Sequence, residues 1–171
     1  MSALQLDRAL LPACVESWTI VGKTRVGTPV IAGAGDQAAG AVGVGAVGEG
    51  VVSLSLGTSG VAFGTVAVPR ADPSGAAHVF CHAVPGAWHV MGVVLAAGGS
   101  FQWFRNELGK AEVARAKEQN VDPYYLLSAE AAIVGPGAEG LFFLPYLTGE
   151  RTPHFDPDAK GGWIGLTIRH G

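Results

Sequence analysis

Apolar and polar positions alternate with a period of two over residues 51–56, where Ser53 and Ser55 separate Val52, Leu54 and Leu56. That period predicts a strand. A second strand is predicted over residues 61–66, and only Gly57, Thr58, Ser59 and Gly60 connect the two, so the pair reads as a hairpin. Upstream, the apolar run 29–32 predicts a buried strand that ends in the turn Gly33-Ala34-Gly35 and a single carboxylate, Asp36. Residues 37–47 are nearly all small and predict a helix closed by Gly48 and Gly50. Further on, residues 77–83 and 88–95 predict two strands joined at Val84-Pro85-Gly86, and such short turns imply antiparallel pairing. A helix is predicted next, with Ser100 as its N-cap and Trp103 and Leu108 among its apolar positions. Pro123 opens a further short helix at Tyr124 and Tyr125, and the run 138–147 predicts a central strand leading into the loop 148–154. At the start, LDRALLPACVES suggests a short helix and residues 18–26 a strand-like passage.

Three places in this pattern carry candidate chemistry. Glycines in the bend 57–60 permit positive φ and let backbone N–H groups approach an anion, with the Thr58 and Ser59 hydroxyls as added donors. The same residues would also make an ordinary hairpin turn. Asp36, before a helix of small residues, is either a general base or an N-cap contributing about 1 kcal/mol. Asp36→Asn separates the two, because it still caps but accepts no proton. Gly98 and Gly99 precede a helix, so free N–H groups there would face a phosphate or ribose, and Gln102 lies one turn on. The bland alternative is a strand-to-helix turn with an exposed Gln. Gly33-x-Gly35-x-x-Ala38 fits a dinucleotide fingerprint in form, but Asp36 would repel the pyrophosphate and the next strand ends at Gly57 rather than at an acidic residue. Glu150 and Arg151 read as members of surface ion pairs with other partners, worth at most about 1 kcal/mol.

The segments GAGDQAAGAVGVG, LGTSG, CHAVPGAWHVMGV, AAGGSFQWFRN and FLPYLTGERTPH, taken in order, resemble successive segments of the FGGY carbohydrate kinases. Within that family they are most similar to the branch acting on D-xylulose. The closing GGWIGLTIRHG is similar to the start of the family's C-terminal signature. The resemblance implies an α/β, ribonuclease H-like fold of three layers with a mixed sheet, as in sugar kinases, actin and heat-shock chaperone ATPases, and here incomplete. Residues 1–27 would be a linker at the end of a missing first domain, and 28–171 a second kinase domain cut short at its C-terminus.

It implies ATP-dependent phosphorylation of a sugar hydroxyl, D-xylulose to D-xylulose 5-phosphate, in a longer parent, with this stretch alone inactive. Another sugar or polyol kinase of the family, or a non-catalytic actin-like nucleotide-binding module, are the alternatives. By the same resemblance Asp36 is the catalytic base and binds substrate with Gln37, while Gly57, Thr58, Gly98 and Gln102 bind nucleotide. A carboxylate is too weak a base to strip an alcohol outright. The loose transition state of phosphoryl transfer lets the proton leave late, so Asp36 need only orient the hydroxyl and then accept. The cofactors are ATP and Mg2+, whose main ligands the resemblance places outside the chain. The Glu150 loop would be structural, beside the cleft.

Composition narrows the partners. The chain has 171 residues, 49% of them hydrophobic, enough for one core. Glycine and proline make up about a fifth of it, short of a low-complexity composition. A formal net charge of −3 without a Lys/Arg run argues against nucleic acid or an anionic membrane as partner. The start carries Asp7 and lacks the basic and apolar regions of a signal peptide, and no apolar run approaches a membrane span. Cys14 and Cys81, without a CxxC, suit a reducing cytoplasm. His78 and His82 are four apart, but Pro85 nearby favours a strand or loop over a metal-binding helix face, so no metal site is assigned. A homodimer remains open through an apolar wall left uncovered.

Overall fold

The computed structural model describes residues 7–170. Its elements run β1 (Ile20–Lys23), β2 (Pro29–Ile31), α1 (Asp36–Gly43), β3 (Val52–Leu56), β4 (Gly60–Val66), β5 (His78–Cys81), β6 (Trp88–Val94), α2 (Gly98–Glu107), α3 (Lys110–Gln119), α4 (Pro123–Ala132), β7 (Phe142–Leu144) and β8 (Gly162–Ile164). β3 to β6 make a sheet in the order β3-β4-β6-β5, antiparallel throughout. The mixed sheet implied by the resemblance is represented here by antiparallel pairs alone. The strand at Pro29 is not part of it: β2 pairs with β1 in a separate ribbon, and the boundary at residues 27 and 28 falls in the turn of that ribbon. β2 is also exposed along its whole length rather than buried.

Register sorts the residues of β4 between two faces. Val61, Phe63 and Thr65 stand opposite Val93, Met91 and His89 of β6, and this is the face that meets α1. Phe63 is 1% exposed and packs with Ala38, Ala41 and Ala46, with Val61 and Ala83 alongside. Ala38 and Ala41 keep the helix face flat, so the backbone approaches the sheet closely, and Ala46 follows just after the helix. The helix stops at Gly45 (φ +77) in a Schellman arrangement: the Ala46 N–H donates to the Ala41 carbonyl (2.8 Å) and the Gly45 N–H to that of Val42 (3.1 Å).

On the opposite face lie Gly60, Ala62 and Gly92, together with the first turn of α2 and the loop around Thr152 and Pro153. Helix, sheet, then helix and loop give three layers. α2, α3 and α4 pack on one another beyond the sheet.

Other expectations are corrected. Ser100 is not the N-cap of its helix; Ala97 is, and the Ser100 hydroxyl donates to the Ala96 carbonyl at 2.7 Å. The run 138–147 yields only the three residues of β7, paired with β8 alone, because positive φ at Ala138, Glu139 and Gly140 turns the chain before it can extend. Of the leading helix, Leu6 lies outside the described residues, and the described portion contains a short 3-10 turn, Arg8–Leu10.

Candidate functional site

The bend between β3 and β4 is held by the chain that follows β6. The Ala97, Gly98 and Gly99 N–H groups donate to the carbonyls of Thr58, Gly57 and Thr58, at 2.9, 2.9 and 3.0 Å. This corrects the expectation of free donors at the start of α2: those N–H groups are spent on the hairpin, which is why the helix needs no side-chain cap. A Cβ on Gly98 would lie 2.6 Å from the Gly57 oxygen, and one on Gly99 3.1 Å from that of Thr58. Glycine is required at those two positions by close approach. At Gly57 it is not, since a Cβ there would meet nothing nearer than the Ser59 oxygen at 3.9 Å and φ is not positive.

The free donors lie instead on the bend itself. Among the described residues the Thr58 and Ser59 N–H groups and the Thr58 hydroxyl have no hydrogen-bond partner. Thr58 is exposed, while the Ser59 hydroxyl is turned inward to the Leu95 carbonyl at 3.0 Å. Gln102 stands exposed one helical turn beyond Gly98. Gly57, Thr58 and Gly98 are thus brought into one bonded unit, with Gln102 beside it on α2.

Asp36 and Gln37 open α1 on the other face of the sheet. Gly33 (φ +79) makes the turn that delivers them, and its N–H donates to the Ser17 carbonyl at 2.9 Å. Asp36 is exposed and is the first helical residue rather than the N-cap, which is Gly35. One carboxylate oxygen accepts the Gln37 N–H at 2.7 Å, and the other has no partner among the described residues. A negative charge in that first turn suits the helix dipole. Gln37 is half-buried. No hydrogen bond joins this pair to the bend; the two groups are linked through α1, Phe63 and β4.

Beneath α1 lies a group of imidazoles. The Ala46 carbonyl accepts the Thr65 hydroxyl at 2.8 Å and faces His82 Nε2 at 3.3 Å. The Val84 N–H donates to His82 Nδ1 (3.0 Å), so Nε2 carries the proton. His89 stacks on Phe63 with ring centroids 4.3 Å apart. Burial, and then His82 nearby, hold the His89 pKa below the ordinary 6.5.

Glu150 departs most from its expected role. Rather than joining a surface ion pair it is 3% exposed, and its Oε1 accepts the Leu95 N–H at 3.1 Å and the Arg151 N–H at 2.7 Å. Its partner, Leu95, is 55 residues away. Among the described residues no group of three or more His, Cys, Asp or Glu side chains could hold a metal ion, and no helix is long and apolar enough to cross a membrane.

Residues 52–171 match the C-terminal domain of the FGGY family of carbohydrate kinases. The chain is 44% identical over 167 residues to the xylulose kinase of Escherichia coli K12, covering 98% of this chain and 31% of that protein. Among solved structures, a ligand-bound xylulose kinase from Lactobacillus acidophilus superposes with a TM-score of 0.81 at 28% identity, over 99% of this chain and 34% of that one. A gluconate kinase from Lactobacillus acidophilus gives 0.82 at 28% identity, over 99% of this chain and 35% of that one. The chain spans about a third of the length of the relatives it matches.

Proposed function

Because the chain belongs to the FGGY family of carbohydrate kinases, with the actin-like ATPase fold of its structural neighbours, we propose that it supplies the phosphate-holding and base-bearing wall of an ATP-dependent sugar kinase. The observation that carries this reading is the bend at Thr58 and Ser59, whose two unpartnered N–H groups and one hydroxyl are fixed in place by three backbone bonds from the start of α2. Fixed donors around an anion stabilise transferring phosphoryl oxygens without reorganising as charge shifts. Gly57 and Thr58 would hold phosphate, with Gly98 closing the unit behind them and Gln102 reaching the nucleoside. Asp36 would orient the sugar hydroxyl for in-line attack on the γ-phosphorus and take its proton as the new P–O bond forms, while ADP leaves. Gln37 would hold the sugar.

The reaction is D-xylulose to D-xylulose 5-phosphate, with gluconate as the second candidate, since both xylulose kinases and gluconokinases are among the similar proteins. Mg2+ would neutralise phosphate charge. Asp36 is the one carboxylate assigned to this site, so the ion's ligands would be phosphates, water and a first domain, as suits an ion that keeps much of its hydration. Residues 1–27 would lead from that domain and 28–171 form the second, cut short at its C-terminus. The cytoplasm, where ATP is supplied, is the expected compartment. NMR titration of the chain with Mg·ADP tests the site. Shifts are expected at the Thr58, Ser59, Gly98 and Gln102 amides, and nucleotide that binds elsewhere, or not at all, removes this reading.

A further inference from the structure

The strand β6 ends at Val94, yet its hydrogen bonding does not. The Thr152 N–H donates to the Val93 carbonyl at 3.1 Å, and two residues along Glu150 Oε1 accepts the Leu95 N–H. A side-chain oxygen thus stands where the carbonyl of a neighbouring strand would be. The loop that carries it is closed on itself, with N–H to carbonyl bonds in both directions between Glu150 and Asp156, at 2.8 and 3.1 Å. The Thr152 hydroxyl also bonds to the Ala76 carbonyl, which fixes the loop against the chain entering β5. On its other side Leu95 accepts the Ser59 hydroxyl, and the next residues supply the three N–H groups that hold the Gly57 and Thr58 carbonyls. Leu95 is therefore clamped between a buried carboxylate and the bend. The second oxygen, Glu150 Oε2, is buried with no hydrogen-bond partner among the described residues. Such a group is costly for stability alone, and a role in fixing geometry explains its presence better than net stabilisation does.

We infer that Glu150 is a positioning residue for the phosphate bend, acting through Leu95 to hold the start of α2 against Gly57 and Thr58. This rests on the reading of the bend as the nucleotide site. Without the carboxylate, the half-buried Leu95 N–H loses its acceptor and the junction 95–99 is free to lift from the hairpin.

Amide hydrogen exchange of the 171-residue chain, followed by NMR, tests it. In Glu150→Ala the Leu95, Ala97, Gly98 and Gly99 amides should exchange at least tenfold faster, while those of Ala46, Thr65 and Val121 keep their rates. Mg·ADP and inorganic phosphate titrated into the same samples should shift Thr58 and Ser59 at least tenfold more weakly in the variant than in the parent chain. Glu150→Gln keeps an accepting oxygen and guards against a variant that does not fold. It should lose less protection at Leu95 than Glu150→Ala, or fold where the alanine variant does not. Unchanged exchange at 95–99, a uniform increase over the whole chain, or equal losses in both variants would each overturn the inference. Should neither probe shift Thr58 or Ser59 in the parent chain, the nucleotide reading fails, while the exchange rates still decide whether Glu150 positions the junction.

Discussion

Asp36 is exposed, holds one neighbouring N–H through a single oxygen, and caps nothing further along its helix. Asp36→Asn preserves that acceptor, so the melting temperature should stay within about 2 °C, which corresponds to less than about 0.5 kcal/mol in a chain of this size. In a kinase assembled around this chain, turnover should fall about 10²- to 10⁴-fold with sugar KM largely kept, because only proton acceptance has been removed. Steady-state assays of the two forms check this, and equal turnover would return Asp36 to a structural role. His89 presents a different case, since its chemistry is that of burial. It faces Phe63 from β4, Phe80 from β5 and His82 from the following loop. Its pKa in the fold lies below the unfolded value near 6.5, so at acid pH the unfolded chain binds the extra proton. The stability this represents is complete above about pH 6.5 and is lost as the pH falls towards the folded value. Urea midpoints should therefore be lower at pH 5.5 than at pH 7.5, and His89→Phe, which keeps a ring on Phe63, should narrow that difference.

At the level of elements, the contact that matters is backbone against backbone, where the start of α2 meets the bend. Gly98→Ala would put a methyl 2.6 Å from the Gly57 oxygen. Either the helix start or the hairpin must then move, at a cost of about 1–3 kcal/mol, and Mg·ADP binding should weaken at least tenfold. Gly57→Ala would make only an ordinary contact, with the Ser59 oxygen at 3.9 Å, and should leave the melting temperature nearly unchanged. Thermal melts and nucleotide titrations of the two variants separate close approach from turn conformation, and equal effects would contradict the geometry. The same contrast explains what could be read from the residues. Val52, Leu54 and Leu56 show their strand by alternation, a local property, and the hairpin and the strands at His78 and Trp88 are legible from equally local patterns; α1 is legible from its small residues, although it ends at Gly43 and not at the expected Val47. The acceptors for the α2 N–H groups and for Leu95 lie about 40 and 55 residues away, and no local pattern encodes them. Hence Ser100 looked like a cap and Glu150 like a surface charge. The pairing of Asp36 with the bend was suggested by the resemblance, and no periodicity in the chain points to it.

The molecule as a whole exposes 12050 Å². A compact monomer of its 17.4 kDa mass would expose about 7,900 Å². Much of the surplus is apolar: along β3 the side chains of Leu54 and Leu56 are 70% and 81% exposed, on the face away from α1. Patches of that kind mark surfaces that meet other protein. Phosphoryl transfer depends on positioning from both walls of a cleft, and in the function proposed for this chain the bend and Asp36 would provide only one. The expectation is that the chain alone, assayed by coupled ADP release with D-xylulose and D-gluconate, turns over at less than about one-thousandth of the rate reached when it is joined to the remaining segments of a kinase from a relative. A homodimer formed through the exposed Leu54 and Leu56 face would be seen as concentration-dependent sedimentation that Leu54→Lys weakens, and sedimentation independent of concentration would rule it out. Comparable rates for the isolated and the joined chain would show that the catalytic groups are already complete here, and the second wall would then have no part in the chemistry.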